Sequence, residues 1–137
     1  SGEVRTGGPL DAYAAVRLLG FAAGGGSTYL LYDPLATSPD SSPGDAVLVA
    51  WRDGSSLAEV TSTAASGGWT PIATDDDAVY WATYARDGSY HQDSVWRRPH
   101  VGGEAEQVVT GLHFSSFSVG ADVIYVVTDS GMVAFPK

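Results

Sequence analysis

Three apolar runs rich in aromatic residues recur along the chain: Tyr29 to Asp33, Val79 to Thr83 and Ile124 to Asp129. The runs begin 50 and 45 residues apart, and a repeat built from one small four-stranded sheet takes about 40 to 50 residues. Apolar residues follow one another within each run, without the polar alternation of a strand that faces water on one side. Each run is therefore predicted to be a strand buried on both faces, with Trp81 in the core.

Each run is the second of four strands that the pattern predicts. A small, polar or Gly-rich corner precedes every run, which is typical of a tight hairpin turn. The corners are Gly24 to Ser27, Asp75 to Asp77 and Gly120 to Asp122. The other predicted strands are Phe21 to Ala23, Ala46 to Trp51 and Leu57 to Thr61 in the first unit, Trp69 to Thr74, Ser94 to Arg98 and Glu104 to Val109 in the second, and Phe114 to Val119 and Met132 to Phe135 in the third. The third unit thus lacks a fourth strand.

An apolar segment near the N-terminus, Ala14 to Phe21, aligns with Gln107 to Phe114 at the end of the second unit. We predict that Ala14 to Leu19 supplies the missing fourth strand by pairing with Met132 to Phe135 across a chain boundary, because shared strands hide sheet edges. The single predicted domain, 1–137, then consists of this strand at 10–20 and of units at 21–63, 68–112 and 113–137.

The second unit carries a recognisable pattern in Val79 to Thr83, Asp93 to Pro99 and Gly102-Gly103. This pattern resembles the bacterial YWTD-like β-propeller repeats, in which a "VYWT" strand precedes a "G-x-V-x-R-x-P" strand and a "GG" turn. The resemblance implies an all-β fold of three propeller blades. Three blades are too few to close a ring, so we expect half of a six-bladed propeller. Its partner would be a second copy in a homodimer or a companion segment of the same protein. A sandwich or another all-β fold is the remaining alternative.

Composition narrows the classes of partner. The formal net charge of −9 disfavours binding to nucleic acid and to anionic membranes. The chain has no cysteine, which excludes disulfides and thiolate chemistry, and no apolar run approaches the roughly 20 residues of a membrane-spanning helix. It begins with Ser1-Gly2 instead of Met. A removed signal or pro-segment would make the protein secreted, periplasmic or cell-surface, whereas an expression fragment would also begin in this way.

The richest candidate site is the loop after the second run. Tyrosine can stack on a sugar, arginine can bind a carboxylate and aspartate can accept from hydroxyls, so a glycan or protein ligand is predicted there. The candidate residues are Tyr84, Arg86, Asp87, Tyr90, His91 and Asp93. A solvated hairpin loop is the alternative. Asp75 to Asp77 is predicted to make turn hydrogen bonds, not a cation site. His91, His100 and His113 lack metal-ligand spacing, so no metal or other cofactor is predicted.

Three functions remain open on the sequence. The first is a non-enzymatic binding or assembly module built on a β-propeller. The second is a propeller-type hydrolase or lyase with a site near the central channel, for which Thr74, Asp75, His113 and Ser118 are the polar candidates. No G-x-S-x-G elbow or other catalytic signature supports this alternative. The third is a structural fragment of a larger propeller protein.

Overall fold

The computed structural model describes residues 17–33, 45–52, 58–64, 71–84 and 92–137. These residues form eleven β-strands and no helix. The strands are β1 (Arg17–Gly24), β2 (Ser27–Asp33), β3 (Asp45–Trp51), β4 (Ala58–Ala64), β5 (Ile72–Thr74), β6 (Ala78–Tyr84), β7 (Gln92–Pro99), β8 (Glu106–Val109), β9 (Ser116–Val119), β10 (Val123–Thr128) and β11 (Gly131–Pro136). Within this part of the chain, no helix is long and apolar enough to cross a membrane.

The strands form three antiparallel sheets in chain order. Sheet I has the order β1-β2-β3-β4, sheet II the order β5-β6-β7-β8, and sheet III the order β9-β10-β11. Every neighbour in a sheet is also a neighbour in sequence, so each sheet is a simple meander joined by hairpins. The predicted all-β class, with three successive sheets of four, four and three strands, is confirmed.

The first hairpin shows why the chain folds locally into these units. β1 and β2 are joined by Gly25 and Gly26, which have positive φ angles of 56° and 72°. Two consecutive positive φ angles are the signature of the type I′ turn, whose twist matches that of the flanking strands. Glycine adopts this backbone without the steric cost that a Cβ atom would impose.

The N-terminal strand differs from the sequence prediction. Arg17 and Leu18 pair with Asp33 and Tyr32 of β2, and β1 continues through a bulge to Gly24. These residues therefore extend the first hairpin of sheet I, and the pairing of Ala14 to Leu19 with Met132 to Phe135 across a chain boundary stays a prediction. A hairpin closes a short loop, and this costs less chain entropy than pairing with the far end of the chain. Residues 10–16 of the predicted strand lie outside the described part of the chain.

Sheet II is packed between the other two sheets. One hydrophobic cluster joins sheets I and II, and it includes Tyr29, Leu31, Leu48, Val79 and Trp81. A second cluster joins sheets II and III, and it includes Tyr80, Ala82, Val95, Ile124 and Val126. Alternate residues of β6 thus face opposite neighbours, as the pleat of a strand requires. The prediction that this strand is buried on both faces is confirmed, since all five residues from Ala78 to Ala82 are buried.

The strand registers identify equivalent positions in the three sheets. Tyr29 pairs with Ala22 and Ala50 in sheet I, and Tyr80 pairs with Ala73 and Arg97 in sheet II. Tyr125 pairs with Ser118 and Ala134 in sheet III. The three tyrosines therefore occupy one equivalent position on the second strand of each sheet, and the residues paired around them can be compared between sheets.

Candidate functional site

The predicted ligand-binding loop lies largely outside the described residues. This applies to Arg86, Asp87, Tyr90 and His91. Tyr84 is the last residue of β6, and its backbone pairs with Gln92. Its side chain is not among those that the structure describes. Asp93 lies in β7, where its Oδ1 accepts a hydrogen bond from the Thr83 hydroxyl at 3.2 Å. The ligand site in this loop therefore stays a prediction.

Gln92, beside this loop, ties sheet II to the start of sheet III. Its backbone exchanges two hydrogen bonds with Phe114, at 2.9 and 3.0 Å. Its side-chain amide, oriented so that the nitrogen donates, reaches the carbonyls of Phe114 at 2.7 Å and Ser115 at 2.8 Å. Gln92 is buried, and these bonds satisfy the polar groups that burial removes from water. This end of the sheets is therefore held by a structural contact.

The acidic corner Asp75 to Asp77 makes the predicted turn hydrogen bonds. Asp75 Oδ1 accepts from the backbone nitrogens of Asp77 at 2.9 Å and Ala78 at 2.8 Å. This arrangement is an Asx turn, in which a side chain replaces a backbone acceptor. Among the described residues, no group of three or more His, Cys, Asp or Glu side chains is arranged to hold a metal ion.

The second oxygen of Asp75 joins sheet II to sheet III. Asp75 Oδ2 accepts from the Tyr80 hydroxyl at 3.0 Å and from Lys137 Nζ, which also donates to the Ala121 carbonyl at 3.0 Å. Burial on its own raises the pKa of Asp75. The hydrogen bonds from Lys137, the two backbone amides and Tyr80 outweigh burial, and the pKa of Asp75 lies well below its usual range. Asp75 is thus a carboxylate that stabilises the fold in its ionised form.

An analogous contact joins sheet I to sheet II. The Tyr29 hydroxyl lies 2.6 Å from His100 Nδ1, and the two rings stack with centroids 5.5 Å apart. His100 Nε2 lies 2.8 Å from the carbonyl oxygen of Asp75. A carbonyl can only accept, so Nε2 donates to it, and the Tyr29 hydroxyl is the partner of Nδ1.

The contacts between sheets I and II and between sheets II and III, which we call the two junctions, use equivalent residues. The sequence analysis did not predict this. His100 and Lys137 are equivalent, because the backbone nitrogen of each donates to the residue that ends the first hairpin turn, Asp77 or Asp122. Each contacts the repeat tyrosine of the preceding sheet: His100 binds Tyr29, and Lys137 Nζ lies 5.8 Å from the ring centroid of Tyr80. The available signal was that both residues follow a proline at the end of the third strand.

The face of sheet III that points away from sheet II repeats a pattern that is buried elsewhere. We call the face of each sheet that packs on the next sheet its following face. Three equivalent positions define it, and they are Tyr29, Leu31 and Leu48 in sheet I, Tyr80, Ala82 and Val95 in sheet II, and Tyr125, Val127 and Met132 in sheet III. The first six side chains are at most 3% exposed, whereas Tyr125, Val127 and Met132 are 37%, 42% and 68% exposed.

On the opposite, or preceding, face, the first strands show a similar contrast at the other end of the stack. Phe21, Ile72 and Phe117 are equivalent residues of the first strands. Ile72 packs into the cluster between sheets I and II, and Phe117 packs into the cluster between sheets II and III. Phe21 of sheet I is 66% exposed. Among the described residues, the stack therefore ends in an apolar following face on sheet III and in an exposed Phe21 on the preceding face of sheet I. Val49 lies on that same preceding face and is 3% exposed.

A groove of about 430 Å³ opens at the first hairpin turn of sheet I. It is lined by Ala23, Gly24, Gly26, Ser27, Thr28 and Trp51. Ala23, Thr28 and Trp51 are register partners across β1, β2 and β3, so the groove lies on the preceding face. None of the described residues in its lining is titratable, and these residues are suited to receive a polypeptide turn more than to perform acid–base chemistry.

The four polar residues considered for catalysis fall into two groups. Two have hydrogen-bond partners at the contacts between sheets, and two are exposed. The Thr74 hydroxyl donates to the Ala23 carbonyl at 2.8 Å, and both carboxylate oxygens of Asp75 accept hydrogen bonds within the protein. Ser118 pairs with Tyr125 in sheet III and is exposed. The side chain of His113 is also exposed and has an interaction within the protein. Thr74 and Asp75 therefore hold sheets together and are not presented as a nucleophile or a base.

Comparison with known proteins returned no match to a family model, to a curated protein or to a solved structure.

Proposed function

We propose that this chain is a non-enzymatic assembly module built from β-propeller-type repeats, and that its exposed following face binds another sheet of the same kind. One observation carries the proposal. Tyr125, Val127 and Met132 are exposed at the positions where sheets I and II bury the equivalent side chains against the next sheet. Repeat proteins are stabilised by burying such faces between neighbours.

The arrangement of the first strands supports the propeller type of stacking. β1 lies against β5, and β5 lies against β9. In a propeller, the first strand of each blade is the innermost, so successive first strands lie side by side around the channel. Three sheets stacked in this way would form an arc, and further sheets of the same kind would extend it towards a ring.

The energetic gain from covering the face favours association. Fully burying a Val or Met side chain stabilises by about 1.5 to 3 kcal/mol, and these side chains are roughly half exposed at the start. A face of several such residues would contribute several kcal/mol towards association, which offsets part of the entropy cost of bringing two sheets together. Contiguous apolar surface of this kind commonly marks a protein interaction site.

The proposal is tested by the reactivity of Met132, the single methionine of the chain. Two copies are expressed as one polypeptide, joined by a flexible linker that gives the second copy a high effective concentration. Hydrogen peroxide oxidises exposed methionine faster than buried methionine. We expect Met132 of the first copy to be oxidised at least several-fold more slowly than an exposed methionine, as measured by mass spectrometry.

The matched control places the methionine at an exposed site away from the face. Val101 lies in the β7–β8 turn and is 96% exposed. In the Val101→Met, Met132→Leu variant, oxidation should be equally fast in the tethered and the single chain. Rapid oxidation of both copies of Met132 in the tethered protein would reject the proposed function.

A further inference from the structure

We infer that the partner sheet is sheet I of a second copy of this chain, and that two copies close a six-sheet ring. This inference rests on the proposed function and names its partner. The described chain carries both halves of a sheet-to-sheet interface. Sheet III presents the following face with Tyr125, and sheet I presents the preceding face with Phe21, each at the position that packs on a neighbour elsewhere in the stack.

The groove on sheet I matches the element that the second copy would insert. Between sheets I and II, the first hairpin turn of sheet I is pressed against sheet II. A Cβ atom on Gly24 would lie 2.6 Å from Thr74 Oγ1, and one on Gly25 would lie 2.2 Å from His100 Cδ2. The groove lies at the place on sheet I that is equivalent to Thr74, because Ala23 and Thr74 pair with Thr28 and Val79, the residues that precede the repeat tyrosines. The equivalent turn of sheet III, Gly120 to Asp122, is therefore the counterpart of the groove.

The number of copies follows from the number of sheets. Propellers close with about four to eight blades, and the described residues of one chain form three sheets. Two copies supply six sheets, whereas three copies would supply more than this range. The contact is between two different faces, so each dimer contains two identical junctions related by a two-fold axis. A face-to-face contact between two copies of sheet III would instead leave Phe21 exposed.

The experiment measures molar mass by light scattering for the full chain and three glutamate variants. Met132→Glu places a charge on the following face, and Phe21→Glu places one on the preceding face. Val101→Glu is the matched control, because it makes the same kind of change in an exposed turn. We expect the wild type and Val101→Glu to have twice the chain mass of 14.2 kDa. Met132→Glu and Phe21→Glu should each be monomeric.

Mixing the two monomeric variants provides the decisive measurement. An equimolar mixture of Met132→Glu and Phe21→Glu contains one junction that is wild type on both sides. We expect mixed dimers to form at higher protein concentration, which also shows that both variants are folded. Dimerisation that survives Phe21→Glu, or no dimer in the mixture, would overturn the head-to-tail ring.

The proposed function and this inference fail in different ways. A wild-type chain that stays monomeric at all concentrations, while Met132 is protected in the tethered protein, would refute the free two-copy ring and leave the binding of like sheets intact. Rapid oxidation of Met132 in the tethered protein would refute both. Protection of Met132 in both tethered copies supports a closed ring, because only ring closure covers sheet III of the second copy.

Discussion

Single residues decide how closely neighbouring sheets approach. Gly25 is the clearest case, because its Cα faces the ring of His100 and its backbone has a φ of 56°. The residue at this position must therefore satisfy two conditions, a left-handed backbone and the absence of a Cβ atom. Only the first of these could be expected from the hairpin pattern, since the second depends on a ring from the next sheet.

Gly25→Ala should lower the free energy of unfolding more than Gly26→Ala does. Both residues have positive φ, and a Cβ atom in a left-handed backbone costs about 1 to 2 kcal/mol. The added Cβ at position 25 would also collide with His100, whereas nothing lies within 4 Å of the added Cβ at position 26. Denaturant unfolding of both variants measures the difference in their free energies of unfolding. This difference reports the clash with His100 at the contact between sheets I and II. Equal effects would show that the ring of His100 yields without cost.

An ion pair links two neighbouring sheets of the stack. Asp75 belongs to the β5–β6 turn and Lys137 follows β11, so their ion pair links sheets II and III. Their side chains are only 20% and 18% exposed. Partial burial limits screening by solvent, which distinguishes this pair from an exposed surface pair of negligible effect.

Asp75→Asn should destabilise the chain by about 1 to 3 kcal/mol, the typical effect of losing hydrogen bonds to a charged group. The remaining amide oxygen can still accept from the turn, but the amide nitrogen would face the Lys137 ammonium. Asp76→Asn is the matched control, since Asp76 is the exposed neighbour in the same turn. Thermal unfolding at neutral pH compares the two variants, and equal melting temperatures would contradict a linking role for Asp75.

The same contact predicts a pH dependence. Hydrogen bonds hold the pKa of folded Asp75 below its ordinary value of 3.8. The stabilisation is therefore fully present above about pH 4, and it is lost as the pH falls below 4 towards the folded pKa. The difference in unfolding free energy between the wild type and Asp75→Asn should shrink over this acid range. A difference that stays constant down to pH 2 would show that the carboxylate charge is not its source.

Net charge acts on the assembly as a whole. Each chain carries a formal charge of −9, so two copies repel each other while their apolar faces attract. Salt shortens the range of repulsion from about 30 Å at 0.01 M to about 10 Å at 0.1 M. Because salt weakens the repulsion between the chains while the apolar attraction remains, the proposed dimer should bind more tightly as the ionic strength rises.

Raising NaCl from 0.01 to 0.15 M should therefore lower the dimer dissociation constant several-fold, as measured by analytical ultracentrifugation. Val101→Glu adds one negative charge away from the face, and its dimer should respond to salt slightly more steeply. A dissociation constant that rises with salt would indicate an interface held by ion pairs across the two chains, contrary to the apolar contact inferred from Tyr125 and Met132.

The order of strands followed from local pattern, but the register did not. Runs that begin at Tyr29 and Val79 align equally well by composition, yet the strand registers make Tyr29 equivalent to Tyr80, one residue later. A shift of one residue sends every side chain of a strand to the other face. The equivalence of the tyrosines, and hence the exposed face at Tyr125, therefore became visible only from the paired strands.

The junction residues were hidden from the sequence for a related reason. Asp75 was correctly predicted to make turn hydrogen bonds, because these involve residues within three positions of it. Its bond to Lys137 spans 62 positions, and the contact between Tyr29 and His100 spans 71. Nothing in the spacing of these residues indicates that they meet, since sheet packing alone brings them together.

The sequence by itself determined the all-β class, the three meanders and the strands within them, because apolar runs, glycine turns and strand alternation are local properties of the chain. The tertiary structure alone decided which face of each sheet is covered and how the turns connect one sheet to the next. It also reassigned Arg17 and Leu18 to the first hairpin. Whether a face is buried depends on the sheet beside it, and not on the strand alone. The exposed apolar face at Tyr125, Val127 and Met132 could therefore be identified only from the packing of the sheets.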